Sequence, residues 1–318
     1  MSSAETPRAE KPVPSLTVAD AAPPNEDYAY FERCRDHPFD CRSERFELVN
    51  AWWLAEASLL AYAAPDFAIP RFREAGFDAV ECFSDESTQC YAAHNEDFAV
   101  VAFSGSDMRN RDDTDSASDI LTDWLVNLDA DMEDSERGGR VHKGFLGALD
   151  EIWDPPDKDE DQRLKPYLDG VCEGGHRKVW FTGHSLGAAL ATLAAGRYDH
   201  APELYTYGSP RVGDRAYAES LRCHAHRFVN DRDIVCKVPL SGTYDHAGTA
   251  KYIDEEGMIH DEHTEQDESG GLLRSLASTV GSIGAIRAKL VRGIPDDYLT
   301  DHAPIFYAVH IWNNYARS

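Results

Sequence analysis

The sequence predicts an α/β protein: a central, mostly parallel sheet flanked by helices on both faces. Beyond Phe145, apolar strand-like runs at 178–182, 204–207 and 226–230 alternate with helical stretches at 145–154, 163–173, 185–196 and 215–222. That alternation implies parallel strands joined by helical crossovers. Ahead of it lie short β-rich runs at 78–83, 89–93 and 98–103, the first two separated by the turn-rich Ser84-Asp85-Glu86-Ser87, which read as a meander entering the sheet. The third observation is Gly183-His184-Ser185-Leu186-Gly187, which couples an apolar strand to a helix of small residues.

Taken in order, residues 1–26 are rich in Ala, Pro and charge without periodicity and are expected to form a flexible tail. Residues 27–318 follow as a single domain, a size that one large core can serve. The run 46–62 is helix material, and Pro65 is placed to stop it. Two acidic stretches, 154–162 and 254–268, are nearly devoid of apolar residues and read as solvated insertions. The chain closes on an apolar helix after the loop that carries His302.

With 42% hydrophobic residues and a formal charge of −26, the composition is that of a folded, anionic protein and excludes nucleic acid as a partner. The N-terminus has neither a basic nor an apolar signal region and no apolar run reaches membrane-spanning length, which favours a cytoplasmic location. The seven cysteines are odd in number and contain no CxxC pair, so reduced thiols are expected rather than a disulfide framework or a zinc site. Cys82 and Cys90 flank the predicted hairpin and are the one pair positioned to face each other.

G-x-S-x-G alone arises by chance in roughly one chain in ten of this length. Its context is what carries information. A strand-to-helix turn exposes the serine hydroxyl at the top of a sheet, in front of a helix N-terminus that stabilises negative charge. Ser185 is therefore the candidate nucleophile. A serine needs a base to remove its proton and a carboxylate to orient that base, and on this architecture they follow in the order acid, then histidine. Asp231 and Asp233, at the end of the strand 226–230, are both candidates, and the residues alone leave the choice open. Of the candidates His246, His260, His263, His302 and His310, His302 lies in a loop just before the terminal helix, from where an imidazole could approach Ser185. His260 and His263 fall in the acidic insertion, with too few ligands for a metal, and His310 lies within the terminal helix.

An ordered set of blocks resembles the class 3 lipases, the fungal-type triacylglycerol lipases. These are Val100-Val101-Ala102-Phe103-Ser104-Gly105-Ser106, Asp123-Trp124-Leu125-Val126-Asn127-Leu128, Val141-His142-Lys143-Gly144-Phe145, the nucleophile turn, Tyr205-Thr206-Tyr207-Gly208-Ser209-Pro210-Arg211, residues 230–239, and Asp301-His302. The resemblance implies an α/β-hydrolase fold and lipase-type cleavage of acylglycerol esters, with phospholipase A1 or short-chain esterase specificity as alternatives. A non-catalytic lipase-like binding module is the alternative from another class. The resemblance also implies Asp233 as the acid and His302 as the base. The oxyanion hole falls to Leu186 and Ser106, His142 and His246 are structural, and no metal or organic cofactor is expected.

Ser104 stands where the family usually has arginine. The polar stretch 107–116, at the lid position, implies weak activation at an oil–water interface. Residues 272–292 place apolar side chains at near-helical spacing with Arg274, Arg287, Lys289 and Arg292 and no acidic residue. Such a helix either packs on the body or meets a lipid surface.

Overall fold

The computed structural model describes residues 8–15, 23–85, 88–105, 131–173, 177–261 and 300–318. In chain order the elements are α1 (Leu48–Leu60), α2 (Pro65–Ala75), β1 (Ala79–Ser84), β2 (Gln89–His94), β3 (Phe98–Phe103), β4 (Met132–Asp134), β5 (Arg140–His142), α3 (Lys143–Trp153), α4 (Leu164–Val171), β6 (Lys178–His184), α5 (Leu186–Arg197), β7 (Glu203–Tyr207), α6 (Arg215–Ser220), β8 (His224–Asn230), β9 (Thr249–Ile253), β10 (Ile259–His260) and α7 (Pro304–Arg317). Eight of the described strands make one sheet in the order β1-β2-β3-β6-β7-β8-β9-β10. The β1-β2-β3 meander and the β9-β10 hairpin are antiparallel, and β3, β6, β7, β8 and β9 run parallel.

Alternation along the central strands divides the core in two. Trp180, Val100, Ala102, Tyr205, Tyr207 and Phe228 face α1, α2 and α7, where Trp52, Phe72 and Trp312 pack. Phe181, Val179, Val101 and Phe103 point the other way, against Phe145, Leu149 and Leu190 of α3 and α5. Helices thus cover both faces, as a parallel sheet with runs of buried residues requires. Register then positions the site. Phe103 pairs with Gly183, His184 with Tyr207, Tyr207 with Phe228, and Asn230 with Ile253, so the carboxyl ends of β3, β6, β7 and β8 come out together. Side chains carried just past those ends converge on one edge.

Several local expectations are revised. Pro65 does not merely end α1: it opens α2 as one of its first residues, where its missing N–H has no intrahelical partner to lose. Residues 8–11, assigned from composition to the flexible tail, lie against α7. Arg8 donates to Tyr315 O (2.9 Å), Trp312 Nε1 donates to Ala9 O (2.9 Å), and Asn313 exchanges two bonds with the Lys11 main chain (2.7 and 2.9 Å). Within the acidic stretch 254–268, residues 254–260 supply the turn and second strand of the sheet's edge hairpin. Asn314 of α7 latches it through Gly257 O and Ile259 N, and Ile259 packs on the core.

The cysteines are free thiols. Cys82 is paired with Tyr91 and Cys90 with Phe83, one position out of step, so the two sulfurs leave opposite faces of the sheet. Ser106, the 107–116 and 123–128 stretches, His263 and the basic segment 272–292 lie outside the described residues.

Candidate active site

Ser185 sits between β6 and α5 with φ 59° and ψ −127°, a backbone conformation costly for a residue with a side chain. The fold holds it there by close approach on both sides. A Cβ on Gly183 would fall 2.3 Å from the main chain of Gly187, and one on Gly187 would fall 2.3 Å from Phe103 O. The first turn of α5 can therefore approach the ends of β3 and β6 only with glycine at both positions. The Ser185 N–H is anchored on Tyr207 O (3.0 Å), while its carbonyl accepts from Ala188 N–H (3.0 Å) and starts the helix. The Leu186 N–H belongs to the first turn of α5, where amides have no intrahelical acceptor.

Asp233 follows β8 in a turn closed by its own N–H on Asn230 O (2.8 Å). Its side chain is fully buried and accepts from three donors. Oδ1 takes Val235 N–H (2.8 Å), both oxygens take His302 Nδ1–H (2.9 and 2.8 Å), and Oδ2 takes the Tyr307 hydroxyl (2.6 Å). Burial pushes this carboxyl's pKa up, but the charge and hydrogen bond of His302 together with the Tyr307 hydroxyl outweigh it, leaving it below the ordinary value. Asp231 goes elsewhere: it has a positive φ of 34° and accepts from Tyr252 OH (3.0 Å).

A carboxylate only accepts, so the bond to Asp233 fixes the His302 proton on Nδ1 and leaves Nε2 with a lone pair. Nε2 is buried and has no hydrogen-bond partner among the described residues. The imidazole lies on the end of β7, where a Cβ on Gly208 would come within 3.0 Å of Nδ1. It also packs against His184, the residue before Ser185, with ring centroids 4.4 Å apart. The loop carrying His302 is tied to the turn carrying Asp233: Asn230 Nδ2 donates to Asp301 O (2.9 Å) and Arg232 N–H to Asp301 Oδ2 (3.2 Å).

Of the sequence-predicted residues, Asp233 and His302 are in direct contact, and the His302 ring packs on His184, the residue that precedes Ser185. The other candidate histidines that are described lie elsewhere. His142 Nδ1 caps α3 by accepting Phe145 N–H (3.2 Å), His246 Nε2 bonds Cys236 O (2.8 Å), His260 pairs with Asp254 (2.6 Å), and His310 stacks on Phe306. Three participants escaped sequence reasoning: Tyr307, Tyr62 and His184. The first two sit in apolar helical stretches, where a tyrosine reads as core, and the third hides inside the motif at a position the motif leaves free. No group of three or more His, Cys, Asp or Glu that would hold a metal occurs among the described residues.

Residues 100–243 match the family model described as lipase, class 3. A lipase of Rhizomucor miehei is 37% identical over 128 residues, covering 36% of this chain and 33% of that protein. The secreted mono- and diacylglycerol lipase A of Penicillium cyclopium is 35% identical over 170 residues, half of each chain. A chloroplastic phospholipase A(1) of Arabidopsis thaliana is 32% identical over 142 residues, 37% of this chain and 31% of that protein. The chain spans half or less of the length of these relatives. Among solved structures, the triacylglyceride lipase of Rhizomucor miehei has a TM-score of 0.52 at 23% identity, covering 74% of this chain and 90% of that one. Lipase II from Rhizopus niveus gives 0.52 at 22%, covering 68% and 85%. These likenesses are of fold, the α/β-hydrolase architecture that the sheet order describes.

Proposed function

We propose that this protein, whose residues 100–243 match the class 3 lipase family model, hydrolyses carboxylic esters, acylglycerols first among them, through an acyl-enzyme. The observation that carries the reading is the buried Asp233–His302 pair. The His302 ring packs on His184, the residue before a serine held at positive φ on a strand-to-helix turn, and its Nε2 has no partner among the described residues. Ser185 Oγ attacks the ester carbonyl and its proton passes to His302 Nε2. Asp233 stays ionised, holds the ring in the Nδ1–H tautomer and balances the imidazolium that forms. The tetrahedral oxyanion is met by the Leu186 N–H, supplemented by Ser106, and a donor of this kind is worth about 10²–10³ in turnover. His302 returns the proton to the departing alcohol, then activates water to release the acid.

The same machinery serves a phospholipase A1, a reading favoured by the phospholipase A(1) among the relatives. Rates on triolein, phosphatidylcholine and short nitrophenyl esters, measured side by side, separate these substrates. A fluorophosphonate probe is expected to label wild type at Ser185 alone, and Ser185→Ala is expected to fold and lose all turnover. Labelling at another serine, or activity in the alanine variant, refutes the mechanism. Lipid contact through 272–292 is tested by liposome flotation: Leu276→Asp and Val280→Asp should abolish it, and unchanged flotation of folded variants removes the idea.

A further inference from the structure

We propose that His184 is a positioning residue for the base: held in one tautomer by the Tyr62 hydroxyl, it pins the main chain of His302. The inference rests on the reading of Ser185, Asp233 and His302 as the reacting set. His184 Nε2 lies 2.7 Å from the carbonyl oxygen of His302, and its Nδ1 lies 2.7 Å from the hydroxyl of Tyr62. A carbonyl only accepts, so Nε2 must carry the proton. Nδ1 then presents a lone pair, and Tyr62 must donate to it. Only the neutral imidazole fits both partners. Burial, and next the neighbouring His302, keep His184 well below the ordinary imidazole pKa.

The contact matters because of where His302 stands in the chain. It lies just ahead of α7, whose N-cap is Ala303, and it is itself buried. A carbonyl so placed is outside the helix's own bonding pattern and would cost about 1–3 kcal/mol if left unpaired. His184 gives that carbonyl its donor. Asp233 holds the His302 ring by Nδ1 and His184 holds the backbone from which the ring hangs, so the base is gripped at both ends of its side chain. The grip reaches the strand-to-helix turn because His184 is the last residue of β6 and Ser185 follows it. Base and nucleophile are thereby indexed to each other through a single side chain.

Tyr62 extends the chain to the end of β3. A Cβ on Gly105 would fall 1.9 Å from the Tyr62 hydroxyl oxygen, so glycine there is required for the tyrosine to reach His184. Tyr62 and His184 are buried. The donor–acceptor set has no role in breaking or forming a substrate bond.

The test uses the full-length protein with His184→Leu, His184→Gln and Tyr62→Phe. Glutamine carries an amide N–H at about the reach of imidazole Nε2, whereas leucine removes the donor and fills the space. Misplacing a reacting group by about 1 Å costs about 10²-fold. His184→Leu is therefore expected to lower kcat on a short nitrophenyl ester by about that factor, with KM within about twofold of wild type. The rate of fluorophosphonate labelling at Ser185 should fall in parallel. His184→Gln should recover about tenfold or more over leucine, and Tyr62→Phe should lose about three- to tenfold in kcat. Equal loss in Leu and Gln variants, or wild-type kcat in a folded Leu variant, overturns the inference. Should His184→Leu not fold, the Tyr62→Phe and His184→Gln measurements decide: wild-type kcat in Tyr62→Phe overturns it. Absence of probe labelling in wild type would instead sink the underlying mechanism.

Discussion

Tyr307→Phe isolates one hydrogen-bonding atom at the centre of the site. The ring sits buried in α7, and phenylalanine keeps its volume, so no cavity opens. What disappears is a hydroxyl that donates to Asp233 Oδ2 at 2.6 Å and accepts from Asn230 N–H at 3.1 Å. The first is a bond to an ionised acceptor, worth about 1.5–3 kcal/mol, and the second loss leaves a buried amide unpaired at about 1–3 kcal/mol. The two are not fully additive, so a stability loss of about 2–4 kcal/mol is expected. Catalysis should suffer less. Asp233 keeps both contacts to His302 Nδ1, so kcat is expected to fall by about tenfold or less, against about 10⁴ for Asp233→Asn by analogy with other serine triads.

The pH dependence supplies a sign. Asp233's folded pKa lies below its ordinary value, so its ionised form contributes stability above the ordinary carboxylate range, and that stability is lost as pH falls through the folded value. Removing the hydroxyl raises the folded value, so the variant's deficit should be largest at neutral pH and shrink in acid. Urea unfolding followed by circular dichroism, at pH 7 and in acid, measures both. A loss below about 0.5 kcal/mol at pH 7, or a deficit that grows in acid, would refute this account of Asp233.

Gly187→Ala should yield little folded protein, because its new Cβ would sit 2.3 Å from Phe103 O, backbone that has nowhere to yield; a soluble variant with wild-type melting would show the turn to be looser than described. Removing residues 1–15 takes away the bonds from Arg8, Ala9 and Lys11 to α7 and the 3.5 Å approach of Lys11 Nζ to the buried Glu56. At about 1 kcal/mol each, the melting temperature should drop by several degrees, and an unchanged scan contradicts the docking. His184 is buried with a pKa far below the ordinary imidazole value, so below about pH 6.5 the unfolded chain takes up a proton that the native state refuses, and stability falls by up to about 1.4 kcal/mol per pH unit. Unfolding midpoints between pH 7 and 5 should show His184→Gln with a shallower slope, and parallel curves would mean that the imidazole does protonate in the native state.

What was legible in the sequence was local in origin. Glycines on both sides of Ser185 and the small residues of α5 report a tight strand-to-helix turn because the constraint is steric and acts within a few residues. Strands β1, β2, β3, β6, β7 and β8 were visible for the same reason, as short apolar runs bounded by turns, whereas β4 and β5, three residues each and largely polar, left no such pattern. Pro65 shows the limit of such punctuation: proline is compatible with the end of one helix and with the first turn of the next, and only the packing of Ala68 and Phe72 into the core decides for α2. The arm 8–11 lacks apolar periodicity because it is held largely by main-chain bonds to Trp312 and Asn313, which leave no pattern in its own residues.

The choice between Asp231 and Asp233 turns on the direction in which the chain leaves β8, and no spacing reports that. Asn230 is the last paired residue, and Asp231 adopts a positive φ that sends its carboxylate to Tyr252. Two residues on, the turn has reversed far enough to bury Asp233 between Val235 N–H, Tyr307 and His302. Three of the partners that fix the acid and the base, Tyr307, Tyr62 and His184, come from α7, the residues after α1, and the end of β6. Their hydroxyl or ring nitrogens matter only once those elements meet, and before that each reads as an ordinary core or motif residue. The reacting side chains could be named from the sequence because chemistry restricts their types. The residues that hold them in register could not, because a tyrosine buried for packing and a tyrosine buried to donate to Asp233 have the same apolar neighbours along the chain.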